Sequence, residues 1–408
     1  MELLENPVRP YSWGSRTVIA ELLGQEVPSA HPQAELWFGA HPGDPSHLLH
    51  TDGTRTSLLD AIATDPAAQL GVARAARWEG RLPFLLKVLA ADEPLSLQAH
   101  PSAVQAAEGY AREEAAGIGR DAPERNYRDP NHKPEVVCAL TDFHALVGFR
   151  EPTASVALLR ALDVPALAGH TELLAGQPDA GGLRALFTTW ITLPQSVLDT
   201  LLPALQEGCV RLAGQSQEFH LEARTVLELS ERYPGDAGVL AALLLQRVTL
   251  APGEALYLPA GNLHAYLSGA AVELMANSDN VLRGGLTPKH VDVPELLKVL
   301  DFTAATAPVL RGTPAGGWLR YDTPAEEFRL RRREAGPEAG EVPVPGSGPR
   351  ILVCTQGAAG VRSAGGELEI KRGSSVWLGA GETGVTVAAR AEGTQLFLAG
   401  DGLQDARG

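Results

Sequence analysis

Leu250 to Leu267 reads "LAPGEALYLPAGNLHAYL", and the same design returns without gaps at Ile370 to Val387, "IKRGSSVWLGAGETGVTV". Gly253 falls on Gly373, Tyr257 on Trp377, Leu258 on Leu378, and the pair Ala260-Gly261 on Ala380-Gly381. Each copy sets a glycine turn before a short apolar and aromatic run, then a second turn and a second run, the pattern of consecutive strands. A β unit present twice implies two β domains of one architecture. Their chemistry differs, because His264 of the first copy stands opposite Gly384 of the second. Only the first copy keeps a side chain fit to bind a metal, and the second is expected to bind none.

Strand-like runs extend outward from both copies. Residues 1–150 hold "AELWFGAHP", "LPFLLKVLAA", "LSLQAHP" and "PEVVCALTDFHALVGF", and the last hundred residues hold "RILVCTQG", "GELEIKRG", "SVWLGAG" and "TQLFLAG". Between them, from about 151 to 243, the pattern turns helical. Leu198, Leu201, Leu202 and Leu205 follow the i, i+3, i+4, i+7 spacing of one helix face, with a kink expected at Pro203. "FHLEARTVLELSERYPG" predicts a second helix stopped by Pro234-Gly235. "SAVQAAEGYAREEAAG" is helical in composition, and "ERNYRDPNHKPE" reads as a polar loop. The expected fold is mainly β with a helical insert: a first β domain over 1–150 and 244–308, a helical domain over 151–243, and a second β domain over 309–408.

In the first β domain the run "LSLQAHPS" places Gln98 and His100 two positions apart in an otherwise apolar strand. Residues i and i+2 of a strand face the same way, so the two polar groups share one buried face. The run from Gly253, "GEALYLPAGNLHAYLS", fits the second motif of the cupin superfamily, G-x5-P-x-G-x2-H-x3-N, through Gly253, Pro259, Gly261 and His264, with Ser268 where the final Asn would be. In cupins that histidine binds a metal inside a small jelly roll, and the first motif supplies the other ligands. Gln98 and His100 stand where those belong, and Glu135, which opens the next strongly apolar strand, is the natural third. A set of one amide oxygen, two imidazoles and a carboxylate suits zinc, with iron and manganese left open by ligand type alone.

Bulk properties narrow the class further. The 408 residues, 44% hydrophobic and 20% charged, describe a globular chain with material for two or three domains. Its apolar runs fall short of a membrane span, and the first residues lack the order of a signal peptide, so a cytoplasmic protein is expected. Cys138, Cys209 and Cys354 stand far apart and in no C-x-x-C pattern, which argues against disulfides and thiolate zinc. A formal net charge of -15 argues against nucleic acid and anionic membrane as partners. An anionic ligand must therefore be met locally, with Lys87, Lys133, Arg283 and Lys289 the candidates.

Six runs bring the resemblance to a point: "YSWGS", "AELWFGAHP", "LPFLLKVLAADEPLSLQAHPS", "AAGIGRDAPERNYRDPNHKPE", "LPAGNLHAYLSGAAVELMANSDNVLRGGLTPKHVD" and "PELLKVLDF". Over residues 11 to 302, in order, the chain resembles the type I mannose-6-phosphate isomerases. The resemblance implies two cupin-type jelly-roll barrels plus an α-helical domain, and one zinc per chain held by Gln98, His100, Glu135 and His264. It places Arg283 in the active site, puts Tyr266, Lys133 and Asp279 at matching positions, and brings in Trp13 of "YSWGS" with Lys87 and Lys289 as substrate-binding candidates. A departure is Ala103, where many relatives carry lysine. A cytoplasmic monomer in carbohydrate metabolism, on the route to GDP-mannose, is the implied setting.

That chemistry interconverts mannose 6-phosphate and fructose 6-phosphate through an enediol. A base must move a proton between C2 and C1, and Lys133, His132 and Asp279 are all candidates. Arg283 fits as partner of the developing oxyanion, as phosphate ligand, or as a structural ion pair with Asp279. Two other readings of the same residues are a non-haem iron dioxygenase and a non-catalytic sugar-binding protein.

Overall fold

The computed structural model describes residues 1–215, 218–304 and 308–403. Its first β unit is built around one long strand, His264–Ala276, which begins at the motif histidine. The N-terminal half of that strand pairs with Phe143–Phe149 and Leu97–Ala99, and its C-terminal half with Phe84–Ala91 and Glu135–Ala139, all antiparallel. The change of partners falls at Gly269, where φ is 111° and a Cβ would lie 2.4 Å from the Asp142 carbonyl oxygen. Only glycine lets the strand bend there and serve four neighbours.

The repeat appears in the backbone as it does in the sequence. Gly253 and Gly373 both adopt the left-handed region, at φ 86° and 85°, and each leads into a four-residue strand, Ala255–Leu258 and Ser375–Leu378. The second unit holds Arg350–Gln356 between Ser375–Leu378 and Thr394–Gly400. An element the sequence does not reveal completes it: Glu2–Glu5 pairs with Ser375–Leu378 on one side and His47–Leu49 on the other. Leu36, Phe38 and Leu86 of the first unit share a core with Tyr321, Phe328, Ile351 and Phe397 of the second. The Tyr321 hydroxyl donates to the Gly253 carbonyl, 2.7 Å away, so the glycine turn of the first repeat rests on strand Trp318–Tyr321 of the second unit.

Between the two segments of the first β unit the chain is helical, with Pro152–Leu162, Ala168–Gly176, Ala180–Ile191, Gln195–Gln215 and His220–Arg232. Helix Gln195–Gln215 runs through Pro203, the position at which the sequence predicts a kink. Leu198, Leu201, Leu202 and Leu205 are buried as their spacing requires, each contributing roughly 2 kcal/mol of apolar burial. They belong to a core that also takes in Leu97, Leu146, Leu263 and Leu282, so the helices brace the outer side of the strands that carry Gln98 and His264. Helix Ala103–Ala115 follows His100 closely and is fixed by a capping box, in which the Ser102 hydroxyl accepts from Gln105 N–H and the Gln105 side chain accepts from Ser102 N–H.

Candidate metal centre

Gln98, His264 and Arg283 are set in one row by strand pairing. Gln98 lies directly opposite His264 on one neighbouring strand and opposite Arg283 on the other, so the three side chains share a face. Glu135 starts its strand opposite Met275 and Leu258. The two motifs touch through the backbone, since Gly261 N–H donates to the His100 carbonyl at 2.9 Å.

His100, Glu135 and His264 are all buried and bring one ligand atom each within 4.8 Å of one another. His100 Nε2 lies 3.4 Å from Glu135 Oε1, and His264 Nε2 lies 3.4 Å from Glu135 Oε2. Two donors held at about 2.0–2.1 Å in a tetrahedron would stand about 3.3 Å apart, so the spacing already matches a shared ion. The imidazoles are oriented for it. His100 Nδ1–H donates to the Asn280 carbonyl at 2.7 Å and His264 Nδ1–H to the Asn262 carbonyl at 3.0 Å, which leaves both Nε2 lone pairs facing inward. His100 Nε2 is buried and hydrogen-bonded to nothing, a costly arrangement for a polar atom unless it is a ligand.

Charge at the site agrees with that role. Burial pushes the His100 imidazole down to about 4, so it is neutral and free to coordinate at physiological pH. Burial alone would raise the Glu135 carboxyl, but the Lys133 ammonium, 3.1 Å away, holds it well below the usual carboxylate range. The donor set therefore offers one negative charge and neutral donors, and the fit to a divalent cation is good.

Gln98, Glu135, His264, Lys133 and Tyr266 line a cavity of about 60 Å3 together with Lys87, Glu35 and Glu273. Lys87 sits between Glu35 and Glu273, 3.4 Å from each, over the face of Trp37. The other expected residues divide. Arg283 is half-buried and Lys289 exposed; burial and then the neighbouring Arg128 lower Arg283, while burial, Arg283 and Arg128 lower Lys289. No carboxylate among the described residues forms an ion pair with any of the three. Trp13 stacks on Tyr11 beside the loop that leads to Leu95.

Asp279 and His132 face a second, larger cavity of about 470 Å3. Asp279 pairs with His41 at 3.2 Å and Arg120 at 3.4 Å rather than with Arg283. Although burial would raise its carboxyl, the His41 hydrogen bond and nearby positive charges bring it to about 2. His132 is tied to Glu327 at 2.6 Å. Three further residues were not found from sequence: Glu273 and Glu35, each a lone carboxylate in an apolar strand, and Asn280. The last is wholly buried, accepts from the N–H groups of Arg128 and Asp129, and donates to the carbonyls of Asp129 and Asn131. It thereby joins the loop carrying Arg128 and Lys133 to His100. The lone carboxylate inside "AAVELMA" was the available signal.

Two antiparallel β units, one carrying a buried His100/Glu135/His264 cluster with Gln98 in the wall of the adjoining polar cavity, define a metalloprotein of the cupin kind. Residues 1–152 match the catalytic-domain model of phosphomannose isomerase type I. The chain is 41% identical over 391 residues to mannose-6-phosphate isomerase of Escherichia coli strain K12, covering 95% of this chain and 97% of that one. It is 34% identical over 404 residues to the mouse, Mus musculus, mannose-6-phosphate isomerase, covering 92% of each. A crystal structure of mannose 6-phosphate isomerase from Salmonella typhimurium, bound to substrate and a zinc atom, superposes with a TM-score of 0.89 at 38% identity, over 99% of this chain and 100% of that one. The chain belongs to the type I phosphomannose isomerase family.

Proposed function

We propose that this chain is a zinc-dependent aldose–ketose isomerase that interconverts mannose 6-phosphate and fructose 6-phosphate through an enediol. The observation that carries the reading is the converged His100/Glu135/His264 cluster, with Gln98 paired opposite His264 and, on its other side, opposite Arg283. Gln98, His100, Glu135 and His264 would hold one zinc, which when bound acts as a Lewis acid toward the sugar oxygens. Arg283, Lys289 and Arg128 would take the phosphate, since three cations without carboxylate partners suit a dianion. The small cavity then receives the C1–C2 end of the open-chain sugar, with Tyr266 and Lys87 in its wall, Trp13 at its approach and Lys133 positioned to steady the oxygen charge of the enediolate. The ligand class is a small sugar phosphate.

A coupled assay on mannose 6-phosphate, with and without chelator, tests the reading. Turnover should vanish on removal of about one zinc per chain, return with zinc, and proceed without oxygen. Full activity in metal-free protein would overturn it, and strict dependence on oxygen would favour the iron dioxygenase instead. Binding of sugar phosphate without turnover would leave a silent sugar-binding protein.

We further infer the units 1–150 with 244–308, 151–243, and 309–408, the last borrowing Glu2–Glu5 from the chain start. A cytoplasmic monomer is the setting proposed. No helix among the described residues is long and apolar enough to cross a membrane, and light scattering tests the monomer.

A further inference from the structure

The reaction needs a proton carrier, and the geometry separates the candidates. Lys133 Nζ is engaged by Glu135, 3.1 Å away. His132 and Asp279 line the larger cavity and are engaged with Glu327 and with His41 and Arg120. Two carboxyls that are not ligands of the proposed ion face the small cavity with the metal donors, Glu35 and Glu273, and Glu273, only 4% exposed, is the one that shares its strand with His264. It is paired with Lys87 on one side and Val137 on the other. Its Oε1 accepts the Tyr266 hydroxyl at 2.8 Å, and its Oε2 lies 3.4 Å from Lys87 Nζ. Lys87 is in turn shared with Glu35, whose Oε2 accepts Trp37 Nε1–H at 2.7 Å.

We propose that Glu273 is the catalytic residue that carries the proton between C2 and C1, and that Lys87 and Glu35 behind it are positioning residues that set its readiness to accept one. This rests on the isomerase reading above. The Glu273 carboxylate takes the C2 proton, the C2–H electron pair becomes the C1=C2 double bond, and the aldehyde π pair moves onto O1. The O2 hydroxyl proton passes to O1. The O2 lone pair then forms the C2 carbonyl while the C1=C2 pair takes the proton back from Glu273 at C1. Atoms and electrons balance with no further reactant, and one group serves both transfers on the same face of the enediol.

The surroundings favour a group that both takes and returns a proton. The charges around Glu273 are Lys87, Glu35, Glu135 and Lys133, and the Tyr266 hydroxyl bonds to it. Burial, and then the charge of Glu135, raise its affinity for a proton against the pull of Lys87 and Lys133. Lys87 is no rival base: burial alone would lower it, yet Glu35 and Glu273 hold its ammonium above the ordinary lysine value.

Glu273→Gln tests the proposal, with mannose 6-phosphate carrying hydrogen or deuterium at C2. The variant should keep one zinc and a KM within a few fold, lose kcat on the order of a thousandfold, and show a larger primary isotope effect as proton removal becomes fully limiting. Retention of kcat within tenfold, or a fall in kcat with the isotope effect unchanged, would overturn it. Should that variant lose zinc or fail to fold, Lys87→Met and Glu35→Gln decide. Loss of the ammonium makes Glu273 easier to protonate, so the acidic limb of the kcat/KM profile should move to higher pH; loss of the Glu35 charge should move it to lower pH. If the limbs do not move in opposite directions, the proposal fails. Failure of the isomerase reading looks different, because the unaltered protein would then be inactive on mannose 6-phosphate.

Discussion

His264 and Arg283 flank Gln98 in one row, yet their removal should have different consequences. His264→Ala takes away one of four donors and opens the site to water, so zinc and activity should be lost together. Arg283→Ala removes a cation outside the donor set, so zinc should remain at about one per chain while kcat/KM falls by about a hundredfold or more. Metal analysis beside the coupled assay distinguishes them; loss of metal in proportion to activity in the Arg283 variant would make that residue structural. At this scale the proposed ligands were legible because fixed spacing marks them: His264 within its glycine motif, Gln98 and His100 by the two-residue period of a strand. Glu135 could be placed only by its position at the start of a strand, beyond a helix and a loop. Glu273, Glu35 and Asn280 escaped because their partners arrive from other strands, and a single sequence carries no trace of who stands opposite whom.

Among the elements, the His264–Ala276 strand has the most to lose. Gly269→Val would drive a branched side chain against the Asp142 carbonyl and the Phe143 backbone in a backbone region that valine avoids. A loss of roughly 3 kcal/mol is expected, read as a lower midpoint of denaturant unfolding. Zinc binding should weaken with it, since His264 and the partners of Glu135 lie on the two halves of that strand; an unchanged midpoint would mean that the bend is not needed. The helical region was readable as helix because its leucines keep a strict period, and Arg232 ends its helix just before Pro234-Gly235 as predicted. Pro203 did not interrupt its helix, because Leu198, Leu201, Leu202 and Leu205 remain buried on both sides of it. The strand Glu2–Glu5 was not assignable to the second β unit, because its pairing is fixed by residues some 370 positions away.

For the molecule as a whole, a net charge of -15 meets a dianionic substrate. In the proposed assignment Arg128, Arg283 and Lys289 supply a local positive field against that background, and binding energy from the phosphate orients the reacting carbons. Unphosphorylated mannose should therefore be used with kcat/KM lower by several orders of magnitude. Raising ionic strength should depress use of mannose 6-phosphate far more than use of mannose. Equal kcat/KM for the two sugars would mean that the cations do not read phosphate. The seam made by Glu2–Glu5 has a bearing on how the chain is assembled in time. A strand from the start of the chain cannot find Ser375–Leu378 until nearly all of it has been synthesised, which at ordinary ribosomal speeds is a delay of roughly 20 to 75 s. During that interval one edge of Glu2–Glu5 lacks its partner and is open to wrong pairings, so the nascent protein has its greatest need of chaperone cover before its last strands emerge.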